Sequence, residues 1–438
     1  MIDHSRRDAL RILSAATAAA ASGTLVRHSR AADLKYTPEP GAELRVLRWK
    51  RFVQGDEDQW MANTRKFTEL TGVNVRVDSE NFEDIRPKAA VAANVGSGPD
   101  IVMGWFDDPH LYADKVHDLT DLADYLGGKY GGWYDIVKRY CLRDGRWIAI
   151  GMGILGGCIT YRRSMVEAAG FKEIPTDLPN FLKLLQALKA KGTPCGFALG
   201  NAVGDSNAWC HWVVWAHGGR MVDENNKVVI NSKETIAALE YAKAMYATFI
   251  PGTLSWLDPS NNKAFLAGEI SLTLNGISIY YVAKTSKDPV VKALTSDIYH
   301  THLPIGPVGR PTELNVLTPC FVFKFTKYPN AAKEYLRFML EREQYEAWQK
   351  SSLGYVQQTL KAYRSNPVWT EDPKNTPFRD IPDRTIDNGF AGRLGAASAG
   401  VMADYIMVNM VAEAASGASS PADAAAKAER RARRYYRT

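Results

Sequence analysis

The residues best suited to chemistry are aromatic rings placed beside carboxylates and amides. Eleven Trp and twenty Tyr are many for 438 residues, and Trp49, Trp105 and Trp256 fall where strands should end or loops begin. Asp107, Asp108 and Asn275 stand at the same kind of position. Such a set suits a sugar, which stacks its C–H face on a ring and offers hydroxyls to paired donors and acceptors. It could also cage an ammonium group by cation–π attraction. Trp209, Trp212 and Trp215 recur every third residue after the polar loop Gly200-Asn-Ala-Val-Gly-Asp-Ser-Asn207. Core packing is the expected role of Trp212 and Trp215.

Catalytic signatures are weaker. Gly151-Met-Gly153-Ile-Leu-Gly156 has the GxGxxG form. A dinucleotide site needs a helix to open at its third glycine, so that the helix N-terminus meets the pyrophosphate. Here Gly157-Cys-Ile-Thr-Tyr161 follows and reads as a strand, so no cofactor is expected. Glycines absorb unusual dihedrals, and Gly151 and Gly153 read better as hinge positions in a crossover between domains. No GxSxG, Walker or HExxH motif occurs, so no catalytic residues are assigned. His300 and His302 could share a strand face, but no third ligand lies near them, and no metal is expected. The basic run Glu429-Arg-Arg-Ala-Arg-Arg-Tyr-Tyr-Arg437 reads as the solvated end of a helix, which argues against a nucleic-acid partner.

Behind these residues the chain alternates strands and helices. Strands are expected at 44–49, 73–77, 101–103, 147–150, 158–161, 196–199, 270–274 and 321–325. Helices are expected at 57–70, 84–93, 178–189, 232–249, 331–341 and 401–415, with Pro87 in the first turn of its helix. A last helix opens on Ser420 as N-cap, Pro421 at N1 and Asp423 as the capping partner. Repeated βα units imply a mostly parallel sheet covered by helices, and this length implies two of them. At 46% hydrophobic and 23% charged, the composition is globular, and no apolar run reaches 18 residues.

Ser5-Arg-Arg-Asp-Ala-Leu-Arg11 precedes a mild apolar stretch at 9–21, which marks residues 1–32 as an export signal of twin-arginine type. A mature start at Asp33 removes five basic and two acidic residues, so the net charge falls from +6 to +3. None of the five cysteines forms a CxxC pair, and the odd count leaves at least one free thiol. Cys195 and Cys210 are the pair that could bridge.

The order of several short segments resembles extracellular solute-binding proteins of ABC importers, family 1, the carbohydrate type. These include Gly98-Pro-Asp-Ile101 followed by Trp105, and Val116-His-Asp-Leu-Thr-Asp-Leu122. Further along come Gly145-Arg-Trp-Ile-Ala-Ile150, Phe265-Leu-Ala-Gly-Glu269 and Pro329-Asn-Ala-Ala-Lys-Glu334. The likeness runs over roughly residues 43–436. It implies a two-lobed α/β periplasmic-binding-protein fold of type II, with a mixed, mostly parallel sheet in each lobe and a ligand cleft between the lobes. Residues 43–150 with 302–342 would form one lobe, and 151–301 with 343–438 the other. Chain crossings are implied near 150–153, 298–304 and 340–345. The implied ligand residues are Trp49, Asp56, Trp105, Asp107 and Asp108 on one side, and Asn275 through Tyr280 on the other. Trp209 and Tyr355 are further candidates. The resemblance also implies a free periplasmic monomer that hands a carbohydrate to ABC permease subunits. The same fold would serve for a polyol, a glycerol-phosphate-like solute or a polyamine, and an exported oxidoreductase is the alternative of another class.

Overall fold

The computed structural model describes residues 35–437, so the expected export signal lies outside the described residues. Among the described residues, ten strands form two main sheets and one hairpin. They are β1 (Glu43–Trp49), β2 (Asn74–Glu80), β3 (Ile101–Met103), β4 (Leu142–Arg143), β5 (Arg146–Trp147), β6 (Ile150–Leu155), β7 (Cys158–Arg162), β8 (Leu272–Asn275), β9 (Ile298–Thr301) and β10 (Val316–Val322). The larger sheet has the order β2-β1-β3-β10-β6, the smaller β8-β7-β9, and β4 pairs with β5.

β1 pairs in parallel with β2 and β3, as alternating strands and helices require. β10 is antiparallel to both β3 and β6. The smaller sheet departs from the parallel expectation, because β8 and β9 both run antiparallel to β7. Its three strands arrive from separate passages of the chain, so no compact βαβ unit sets their direction.

Local signals explain some of the helix ends. The helix Gln54–Thr71 carries Asp56 and Glu57 in its first turn, where they complement the dipole. It ends at Gly72 (φ 74°), whose N–H bonds Thr68 O at 2.8 Å. Ser420 caps Pro421–Ala432 by accepting from Asp423 N–H, as expected. Pro87 lies deeper than expected, because its helix begins at Phe82 and runs to Val95. The single helix expected over 401–415 is two, Ala396–Ala403 and Ile406–Ser416, separated at Tyr405 (φ 50°). Residues 196–199 form no strand; they follow β8 through one bond, from Gly196 N–H to Leu272 O (3.0 Å).

Two buried core clusters accompany the two main sheets, and the cluster at the larger sheet also takes in Phe265, Ile279, Tyr281 and Ile298. Trp49, Trp60, Phe67, Trp105 and Trp348 are buried around the larger one. Phe181, Trp209, Trp212 and Val411 are buried around the smaller. The chain passes from β6 to β7 through Gly156-Gly157, and returns from β9 to β10 through 302–315. It passes again between Ile381, in the first core, and Val401, in the second. Residues 340–345 are not a passage. They lead into the helix Arg342–Ser351, whose Trp348 packs edge-on against Trp60 in the first core. Gly151 and Gly153 lie inside β6, paired with β10. A Cβ at Gly153 would meet Val356 Cγ1 at 2.1 Å, so close packing requires glycine there.

All five cysteines are free and buried. Cys195 Sγ faces Thr248 Oγ1 at 3.3 Å rather than Cys210. Arg430, Arg433 and Arg434 of the basic run are exposed, as a solvated helix face requires.

Candidate functional site

The carboxyl ends of β1 and β6 and the start of β10 meet β7 and β8 of the other sheet around one pocket. Strand ends of this kind are where open α/β sheets place ligands. Its walls are of two kinds. Phe52, Phe82 and Tyr355 supply aromatic surface, with the Phe52 and Tyr355 rings nearly parallel (5°) and 6.2 Å apart. Polar groups converge opposite them. Asn275 Nδ2 donates to Asn262 Oδ1 (2.9 Å) and Ser278 Oγ (3.1 Å), and Asn315 Oδ1 accepts from Gly157 N–H (3.0 Å).

The floor is acidic. The helix Asp205–Ala216 starts at the pocket, and its first turn is held by Asp258. Asp258 accepts from the N–H groups of Val203 (2.9 Å), Gly204 (3.1 Å) and Asp205 (2.8 Å). Asp205 Oδ2 accepts from Asn261 Nδ2 at 2.6 Å. Burial pushes both carboxyls up, Asp258 to about 6, with its backbone donors opposing and Glu83 adding to the rise. Asp205 is raised well above the carboxylate range, by burial first and the Asp258 charge second. The three backbone donors compensate the Asp258 carboxylate, whereas Asp205 has no comparable set of donors and no cation beside it among the described residues. Among the described residues, no Lys or Arg lines the pocket.

Of the expected ligand residues, Asn275, Gly276 and Ser278 from the 275–280 stretch and Tyr355 line this pocket. Trp105 stands behind it, stacked on Phe82 at 4.6 Å, and Trp49 packs on Trp105 at 5.4 Å. Asp56 is buried against Arg48, and Asp108 against Arg86, each pair at 2.7 Å. Trp209 lies in the second core, donating to Ala198 O. Tyr280 turns away to Asp372, at 2.6 Å. Sequence reading missed Asp205 and Asp258. The first lies in the polar loop and the second two residues after Trp256, so the signals that could have found them were already singled out.

Asp107 is fully buried at a different contact. Its Oδ2 accepts from Asn388 Nδ2 (2.9 Å) and Ser398 Oγ, while Oδ1 has no partner among the described residues. Burial raises its pKa to about 7, against the two hydrogen bonds. The folded state therefore holds this proton more tightly than the unfolded chain. Stability from this group is greatest below the unfolded value near 4 and falls as pH rises to about 7. Asp107→Asn keeps an acceptor and removes the charge. Its melting temperature should fall less between pH 5 and pH 8 than the wild type's; an unchanged difference would refute the assignment.

A family model of bacterial extracellular solute-binding proteins matches residues 62–377, well over half the chain. The chain belongs to that family. Among curated proteins no sequence matches it. Solved structures match over nearly the whole fold. A maltose-bound MalE3 of T. maritima superposes with TM-score 0.77 at 18% identity, covering 90% of this chain and 99% of that one. The GacH receptor of Streptomyces glaucescens GLA.O, solved unliganded and with acarbose, gives 0.75 at 17%, covering 91% and 99%. A sugar transporter from Arthrobacter chlorophenolicus A6 with bound laminaribiose gives 0.74 at 15%, covering 90% and 99%. This solute-binding protein therefore has the two-lobed fold, its lobes built on the two sheets. No helix among the described residues is long and apolar enough to cross a membrane.

Proposed function

We propose that this solute-binding protein is the capture subunit of an ABC importer and encloses a sugar or similar hydroxyl-rich solute between its lobes. One observation carries the reading: aromatic faces and convergent amide and carboxyl groups share a pocket where the two sheets meet. Rings would stack on the solute while Asn275 and its polar neighbours orient the hydroxyls. The sugars bound by the structural neighbours support the same class. Absence of Lys and Arg from the lining argues against a phosphorylated solute.

We assign residues 43–155 with 316–381 to the lobe that carries the larger sheet and 158–301 with 396–436 to the lobe that carries the smaller one, with Gly156-Gly157 and the two later passages as hinge. Closure about these passages buries the solute, and the closed form docks on the permease. The protein acts as an exported monomer sent out by its twin-arginine-type signal, and it catalyses nothing.

A thermal-shift screen of ligand-stripped protein tests this. A solute that binds only the folded state adds about 2.7 kcal/mol at a hundredfold excess over its dissociation constant. A sharp rise in melting temperature with one class of sugar or polyol is expected. No rise with any sugar, polyol or amine would overturn the reading.

A further inference from the structure

We infer that the solute carries a protonated amine beside its hydroxyls, and that Asp205 receives it. The inference rests on the binding-protein reading and narrows its solute class to amino sugars or amino polyols. Asp205 and Asp258 are the only charged side chains among the described residues that line the pocket, and both are acidic. The cations nearest the pocket walls are already committed: Arg48 to Asp56 and Arg86 to Asp108. Glu83, on the helix Phe82–Val95, adds a further negative charge near Asp258, and the cation beside Tyr405 is Arg86, already paired with Asp108.

The two carboxylates differ in what they lack. Asp258 is satisfied by three backbone donors, so it caps a helix and needs nothing more. Asp205 has one side-chain partner, the Asn261 amide, and its Oδ1 has none among the described residues. A neutral hydroxyl could donate to that oxygen but would leave the pair's negative charge without a counter-charge in a half-buried site. An ammonium group compensates it and makes a charge-assisted hydrogen bond.

Tyr355 points independently to a ligand here. Only 6% of its surface is exposed, yet it lines the pocket, and its hydroxyl has no hydrogen-bond partner among the described residues. It lies near enough to Asp205 and Asp258 for their charges to raise its pKa. A hydroxyl free to accept and ring faces at Phe52 and Tyr355 complete a seat for an ammonium group on a polar frame.

The test is calorimetry on matched pairs: glucose with glucosamine, galactose with galactosamine, mannose with mannosamine, and glycerol with serinol. At least one amine should bind roughly tenfold or more tightly than its neutral counterpart. Asp205→Asn keeps an acceptor for Asn261 and should erase that preference. In the wild type, amine affinity should fall as pH is lowered, because protons taken up by the carboxyl pair compete with the ammonium group. Neutral members binding as well as, or better than, every amine would overturn the inference while leaving the transport reading intact. Failure of every amine and every neutral solute would overturn both. Putrescine binding with no hydroxylated amine bound would overturn the hydroxyl-rich part.

Discussion

Asp56→Ala should lower unfolding free energy by about 3–5 kcal/mol, the cost of stripping one partner from a buried ion pair. Arg48 Nη2 donates to both Asp56 oxygens, at 2.9 and 2.7 Å, and Arg48 has no exposed surface. Two indoles depend on the same carboxylate: Trp49 Nε1 at 3.0 Å and Trp348 Nε1 at 2.7 Å. Without Asp56, the guanidinium keeps only its seats over the Trp49 and Trp60 rings, 4.6 and 4.8 Å from their centroids. Those contacts are too weak to replace a charge partner. Urea denaturation measures the loss. Adding Arg48→Met should recover much of it, because an apolar side chain needs no counter-charge. A loss below about 1 kcal/mol would show that the pair does not hold β1 to its two neighbouring helices.

Trp209→Ala is expected to cost about 3–5 kcal/mol while leaving solute affinity nearly unchanged. The indole packs edge-on against Phe197 (6.0 Å) and Phe249 (5.9 Å), and its N–H is satisfied by Ala198 O at 2.6 Å. Removing it opens a cavity in the second core and orphans that carbonyl. Trp209→Phe should recover most of the packing but not the hydrogen bond. Stability by denaturation and affinity by calorimetry separate the roles. Lost binding with intact stability would return Trp209 to the cleft.

Asp56 and Trp209, together with Trp49, show what sequence conveys. Trp49, Asp56 and Trp209 have the chemistry of ligand contacts, and nothing in their types distinguishes a buried hydrogen-bond partner from a cleft wall. Side-chain direction decides that, and it depends on packing between segments hundreds of residues apart: Trp348 reaches Asp56 across 292 positions. Periodicity and capping were legible because they are local. The helix end at Gly72 and the cap at Ser420 follow from neighbouring residues alone. The strand expected at 321–325 starts earlier, at Val316, because Pro319 lies at a register shift in β10, where a missing N–H is tolerated. Asp205 and Asp258 lie 53 positions apart and become a pair only when the helix start folds onto the Trp256 loop.

The place of β10 also governs how this chain reaches its native state. Its seven residues are buried between β3 and β6, yet they follow β3 by more than two hundred positions. Until residue 322 emerges from the ribosome, β3 and β6 cannot be bridged, and each presents an unpaired backbone edge. Such open edges invite wrong partners, and distant pairings form slowly. The nascent chain thus passes through a long interval in which its larger sheet is split into halves. Chaperone demand during synthesis should concentrate in that interval and end when β10 docks.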